Sequence, residues 1–156
     1  MERFYKRVFA REATFNGTTF RSKMECDFAK FLSGVPFEYK GGRYWHEVVC
    51  WEYEEREFEL LPQEGWVDRT ERDKGLKRKV RNKKHTLQRV IYTPDFYLPD
   101  YDLYVEVKGV AYFNDLFKLR LRLFRHFYPK EKLWIVQHHE EFFKIDEVIK
   151  NIQIME

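Results

Sequence analysis

Three stretches of the chain repeat apolar residues at helical spacing. Met24, Phe28, Phe31 and Leu32 follow Ser22, an N-cap residue with Glu25 three positions on, so Ser22-Lys23-Met24-Glu25 reads as a capping box and Gly34 with Pro36 as the helix stop. Phe113, Phe117, Leu121 and Phe124 are spaced by four, four and three, which predicts a helix over 114–127 capped by Asn114 and stopped by Pro129. Phe142, Ile145, Val148, Ile149 and Ile152 predict a last helix over about 140–153.

Other stretches alternate or run apolar. Leu103, Val105 and Val107 alternate with Tyr104, Glu106 and Lys108, and Val90-Ile91-Tyr92 and Phe96-Tyr97-Leu98 flank an Asp95. With Pro99-Asp100 as the turn, strands at about 89–98 and 102–108 form a hairpin. Residues 44–61 read as extended, with Glu57–Pro62 the best strand candidate, and Lys132–Gln137 is a short apolar strand. Residues 1–20 read as a strand-poor arm with a turn at Asn16-Gly17. The predicted order is α-β-β-β-α-β-α, a mixed central sheet flanked by helices, in the α/β class.

The length of 156 residues predicts one domain over 1–156, with a basic loop or protruding hairpin inserted at about 63–88. No apolar run reaches the length of a membrane helix and the N-terminus lacks a signal-peptide core, so a soluble, cytoplasmic protein is expected (host-cell cytoplasm for a phage product). Cys26 and Cys50 are too few for a disulfide framework or a zinc site; a buried thiol is expected of each. His138 and His139 point to opposite faces of extended chain and so do not form a two-histidine site; surface positions are expected.

The net charge is only +3, but it is unevenly placed. Glu47, Glu52, Glu54, Glu55, Glu57, Glu59 and Glu64 stand against Arg56, whereas Arg72, Lys74, Lys77, Arg78, Lys79, Arg81, Lys83, Lys84 and Arg89 stand against Asp73. Such a basic run attracts a polyanion through local potential and gives contacts with little sequence information. Two bland readings stay open: a solvated loop, or a basic strand paired with the acidic one. Lys118 and Arg122 on the second helix either face a phosphate backbone or solvate a helix flank. No zinc-finger or recognition-helix signature and no paired base-stacking aromatic strands are present.

On a strand, Glu106 and Lys108 share one face, with Asp95 across the hairpin. That grouping suits a hard divalent cation beside a phosphate and a water positioned for attack. Glu25 has two competing uses, as the acidic partner of the capping box or as a further metal carboxylate.

Pro94-Asp95 with Glu106-x-Lys108 resembles the signature of the PD-(D/E)xK, restriction-endonuclease-like nuclease superfamily. The likeness extends over roughly 18–137 through four blocks: Phe20-Arg21-Ser22-Lys23-x-Glu25-x-x-Phe28, Phe58-x-Leu60-Leu61-Pro62, Tyr92-Thr93-Pro94-Asp95-Phe96 and Val105-Glu106-Val107-Lys108-Gly109. Together they are similar to small phage-encoded endonucleases, some of them Holliday junction resolvases, and to the nuclease subunit of certain transposons. The resemblance implies Mg²⁺ or Mn²⁺ held by Asp95, Glu106 and the Val107 backbone carbonyl, with Glu25 a further candidate, and Lys108 orienting the attacking water. It implies DNA as partner and, for two-strand cutting, a homodimer; duplex cleavage or a catalytically silent DNA-binding module are the alternatives. Family members are usually less basic between the second and third blocks, which makes that insertion specific to this chain.

Overall fold

The computed structural model describes residues 11–61, 66–68, 84–86 and 90–154. Of these, 61, 66–68, 84–86 and 111 are described by their backbone alone.

Two short hairpins frame the first helix. Strands β1 (Ala13–Phe15) and β2 (Thr18–Phe20) pair antiparallel across Asn16 and Gly17, both at positive φ (48° and 76°). A two-residue turn of this hand matches strand twist, and Asn-Gly tolerates it. The expectation of a strand-poor arm is therefore corrected for 11–20: the turn was read, the three-residue strands beside it were not. Helix α1 (Lys23–Leu32) follows, and then β3 (Phe37–Tyr39) pairs with β4 (Gly42–Tyr44) across Lys40 and Gly41, again both at positive φ.

The central sheet is mixed. Its order is β12-β11-β10-β5, built from β5 (Glu52–Tyr53), β10 (Phe96–Leu98), β11 (Leu103–Val107) and β12 (Lys132–Val136). β10 runs antiparallel to both β5 and β11, while β11 and β12 are parallel and joined through helix α2 (Asp115–Phe127). The expected strand over 89–98 is two: β9 (Val90–Tyr92) pairs with β6 (Phe58–Leu61), and the chain bends at Asp95 before β10. Pro94 has no N–H to give a ladder, and the residue before a proline is restricted, so the break falls there. Between β6 and β9, β7 (Trp66–Asp68) pairs with β8 (Lys84–Thr86). The acidic strand thus pairs with β9 and the basic β8 with β7, so the side-by-side pairing of acidic and basic strands is not formed in the described residues.

All five residues of β11 are buried, because both faces of the sheet are covered. Leu103, Val105 and Val107, with Trp134 and Val136 of β12, pack in one core with Phe28, Phe31 and Leu32 of α1. Helix α3 (Ile145–Ile154) joins that core through Ile145, Val148, Ile149 and Ile152. On the other face, Leu133 and Ile135 pack with Phe117, Leu121 and Phe124 of α2 and with Leu60 and Tyr92. The split follows the period-two alternation of the strands. Burying a side chain such as Phe124 or Leu121 stabilises the fold by about 1.5–3 kcal/mol.

The first two helices start where the caps predict. Ser22 Oγ accepts from Glu25 N at 3.1 Å and Asn114 Oδ1 from Phe117 N at 2.9 Å. The last helix differs at its start: His139–Lys144 winds as a 3-10 segment before α3 begins. Residues 45–51 form no strand, and Cys50 is exposed there, while Cys26 is buried in α1. His139 is not a surface residue either: Nε2 lies 2.9 Å from Oδ2 of the buried Asp27, and the ring stacks on Tyr39 at 4.2 Å. Among the described residues no helix is long and apolar enough to cross a membrane.

Candidate active site

The bend at Asp95, the end of β11 and the start of α1 meet in an open cleft of about 630 Å³. Its walls carry Glu25, Glu54, Glu57, Asp95 and Glu106, and also Arg11, Arg21, Lys23, Lys108 and Arg120. Each comes from a different local cause. Asp95 sits where the strand breaks at Pro94. Glu106 is the polar face of a central strand. Glu25 faces inward from the first turn of α1.

Asp95 is 2% exposed and Glu106 6% exposed, which is rare for carboxylates without strong partners. The register Phe96↔Val105 sets them on adjacent strands. Asp95 Oδ2 accepts the Val107 backbone N–H at 2.8 Å, and Arg21 Nη2 lies 3.3 Å from Oδ1. Glu106 Oε2 accepts the Tyr92 hydroxyl at 2.8 Å. Glu25 Oε2 accepts the Tyr53 hydroxyl at 2.7 Å and the Arg21 N–H at 3.2 Å. Its carboxylate thus bridges Tyr53 and the backbone N–H one residue ahead of the Ser22 N-cap, and the Ser22 half of the capping box is made. Lys108 extends the parallel ladder through its N–H to Val136 O at 2.8 Å, and its Nζ stands 4.8 Å from the centre of the Phe117 ring.

Crowding carboxylates out of water favours their neutral forms. Burial, then the charges of Glu106 and Glu25, hold the Asp95 carboxyl well above its ordinary range, against the Val107 N–H and Arg21. Burial pushes Glu106 up to about 7, although Tyr92 and Lys108 pull it down. Burial also raises Glu25, opposed by Tyr53 and Arg21. The three carboxylates are crowded together out of water, and their donors are all hard oxygens.

Those two properties fit Mg²⁺ or Mn²⁺. Among the described residues no three His, Cys, Asp or Glu side chains gather closely enough to enclose a metal by themselves. Mg²⁺ is usually held by one or two carboxylates, with waters and substrate phosphates completing the shell. Asp95 and Glu106 are the residues that would hold it, with Glu25 beside them. Val107 lines the same cleft, and its recorded contribution is the N–H given to Asp95.

Other expected residues fall elsewhere. Lys118 and Arg122 are exposed on α2 but do not line the cleft; Arg120 of the same helix does. Lys74, Lys77, Arg78, Lys79, Arg81, Lys83 and Arg89 lie outside the described residues, and Lys84 is described only as backbone in β8. Sequence reasoning missed Arg21, Glu54, Tyr53 and Tyr92. Arg21 pairs with Glu54 as well as with Asp95. Glu54 had no local signal, since it enters the cleft through a left-handed backbone (φ 52°) just past β5. The two tyrosines were legible only as strand aromatics.

No protein-family model, curated protein or solved structure matches this chain.

Proposed function

We propose that the cleft is the active site of a divalent-metal-dependent endodeoxyribonuclease with a restriction-endonuclease-like core, of the PD-(D/E)xK type. One observation carries the reading: Asp95 at a strand break and Glu106 on the adjacent central strand are both buried, both face one cleft, and share it with Lys108 and Glu25. A cleft of acids at the floor with Arg11, Lys23 and Arg120 around it suits a phosphodiester backbone beside a cation.

Asp95 and Glu106 would hold a divalent cation, which when bound would supply Lewis-acid polarisation of the phosphate and a more acidic water. Asp95 and Glu106 supply the anionic oxygens, and the Val107 N–H and Tyr92 hydroxyl keep each carboxylate in one orientation. Lys108 is held over Phe117 with its ammonium in the cleft, where it orients the nucleophile and offsets negative charge developing on the phosphate. Water adds to the phosphorus and the P–O3′ bond breaks, so one fragment leaves with a 3′ hydroxyl and the phosphate stays on the 5′ end of the other, as is usual for this type.

Branched DNA such as a four-way junction is the preferred substrate, because no base-reading element accompanies the basic stretch. A homodimer supplies the second active site that two-strand cutting requires. Cleavage of end-labelled four-way junction, nicked, linear duplex and single-stranded DNA in Mg²⁺ or Mn²⁺ tests this. Symmetric junction cuts are expected; cutting of plain duplex alone would make the protein a transposon- or restriction-type nuclease. Binding without cleavage in either metal would leave a silent DNA-binding module.

A further inference from the structure

Arg21, Glu54 and Asp95 form a closed loop of contacts. Arg21 Nη2 reaches Asp95 Oδ1 at 3.3 Å and also pairs with Glu54 Oε1. Glu54 in turn donates its backbone N–H to the carbonyl of Asp95 at 2.9 Å. Glu54 is a non-glycine residue in left-handed backbone, a conformation that persists only when its surroundings hold it. Its side chain is thereby aimed at Arg21 rather than at solvent.

Both oxygens of Asp95 are occupied, Oδ2 by the Val107 N–H and Oδ1 by Arg21. The backbone donor lies in the central sheet and is fixed. Arg21 is not: its side chain is 64% exposed and sits ahead of α1, at the mouth of the cleft. A cation that takes Oδ1 displaces the guanidinium, which retains Glu54 as its second partner. Guanidinium forks match phosphate oxygens as well as carboxylates.

We propose that Arg21 is a two-position residue, the resident counter-ion of Asp95 in the metal-free protein and a phosphate ligand once a divalent cation occupies the site, with Glu54 keeping it at the cleft mouth. This rests on the nuclease reading of the same cleft. Its consequence is a coupling: cation binding frees Arg21 for DNA, and DNA binding draws Arg21 off Asp95, so each ligand tightens the other through this side chain.

The experiment uses the full chain with Ca²⁺, a hard oxygen-seeking cation, and a fluorescein-labelled duplex. Ca²⁺ affinity is measured by calorimetry without DNA, and DNA affinity by anisotropy with and without saturating Ca²⁺. In Arg21→Ala, Ca²⁺ is expected to bind about tenfold more tightly without DNA, a change of about 1.4 kcal/mol. The factor by which Ca²⁺ improves DNA binding is expected to shrink by about tenfold relative to wild type. Arg21→Lys, which keeps the charge and loses the fork, is expected to lose most of that factor too. A bystander charge would alter both affinities and leave the factor unchanged; an unchanged factor in both variants overturns the two-position role while the wild-type Ca²⁺ site stands. Absence of Ca²⁺ binding in wild type and Arg21→Ala alike would instead overturn the metal site, and the role with it.

Discussion

The Tyr92 hydroxyl on β9 donates a hydrogen bond to Oε2 of Glu106 on β11 at 2.8 Å, inside the core under α2. The tyrosine ring packs edge-on against Phe124 at 5.2 Å, so the donor is fixed by packing and the carboxylate by the donor. In Tyr92→Phe the ring stays and the hydrogen bond goes. A bond to a charged group contributes about 1.5–3 kcal/mol, equivalent to about one to two pH units. The Glu106 carboxyl then rises further, and the acid limb of metal-dependent cleavage moves to higher pH by that amount. A pH–rate profile of the two proteins checks this; coincident limbs would show that Tyr92 does not set the charge on Glu106.

Metal-free stability should fall as pH rises toward neutrality. Burial lifts the folded Glu106 carboxyl from 4.5 to about 7, so the native state keeps a proton that the unfolded chain has released. The stabilisation is complete below about 4.5 and is lost as pH passes through about 7. Asp95 is displaced in the same direction. The Glu106 contribution is on the order of 3 kcal/mol, or roughly 5–10 °C in Tm. Thermal melts in EDTA from pH 5 to pH 8 should show this decline, which Mg²⁺ offsets at pH 8 and not at pH 5. Glu106→Gln should flatten it; an equal slope in that variant would contradict the assignment.

Ser22 and Glu25 share a capping motif but should separate experimentally. Ser22 Oγ caps α1, whereas the Glu25 carboxylate accepts from Tyr53 and the Arg21 N–H. Ser22→Ala should cost about 1 kcal/mol in urea unfolding, with cation affinity little changed. Glu25→Gln should leave α1 capped and reduce cleavage at least about tenfold. If Glu25→Gln destabilises the helix as Ser22→Ala does and spares cleavage, Glu25 is a cap residue only.

If the cleft takes DNA, Arg120 is the α2 residue placed to meet it. It lines the cleft, while Lys118 and Arg122 do not. Arg120→Gln should weaken DNA binding and lower the slope of log affinity against log salt by about 1. Lys118→Gln and Arg122→Gln should lower it less. Anisotropy titrations across salt concentrations rank the three; an equal ranking would move the DNA path off the cleft.

The elements with sustained periodicity were legible. Helix α2 begins and ends as its spacing, Asn114 and Pro129 predict, and β11 forms where it was expected, with Leu103, Val105 and Val107 together in one core. The strands of the two early hairpins, β1 with β2 and β3 with β4, were not, because three residues carry no period. β3 and β4 turn on Lys40-Gly41, where a lysine takes the left-handed conformation that Asn or Gly usually marks. The carboxylates Asp95, Glu106 and Glu25 could be named because strand register and a helix cap position them locally. Arg21 and Glu54 could not, since their meeting depends on the packing of β5 beside β10 and on one left-handed residue. Gly109, where the chain leaves the sheet, has a φ of −55° that is open to any residue, and a Cβ there would make only ordinary contacts.

The most direct measurement is cleavage of a labelled four-way junction by wild type, Asp95→Asn, Glu106→Gln and Lys108→Met in Mn²⁺ and in EDTA, with DNA binding measured alongside. The account predicts cutting by wild type in Mn²⁺ alone, a loss of at least about a hundredfold in each variant, and DNA binding that survives in all four. Cutting that persists in Asp95→Asn and Glu106→Gln, or that proceeds equally in EDTA, would contradict it.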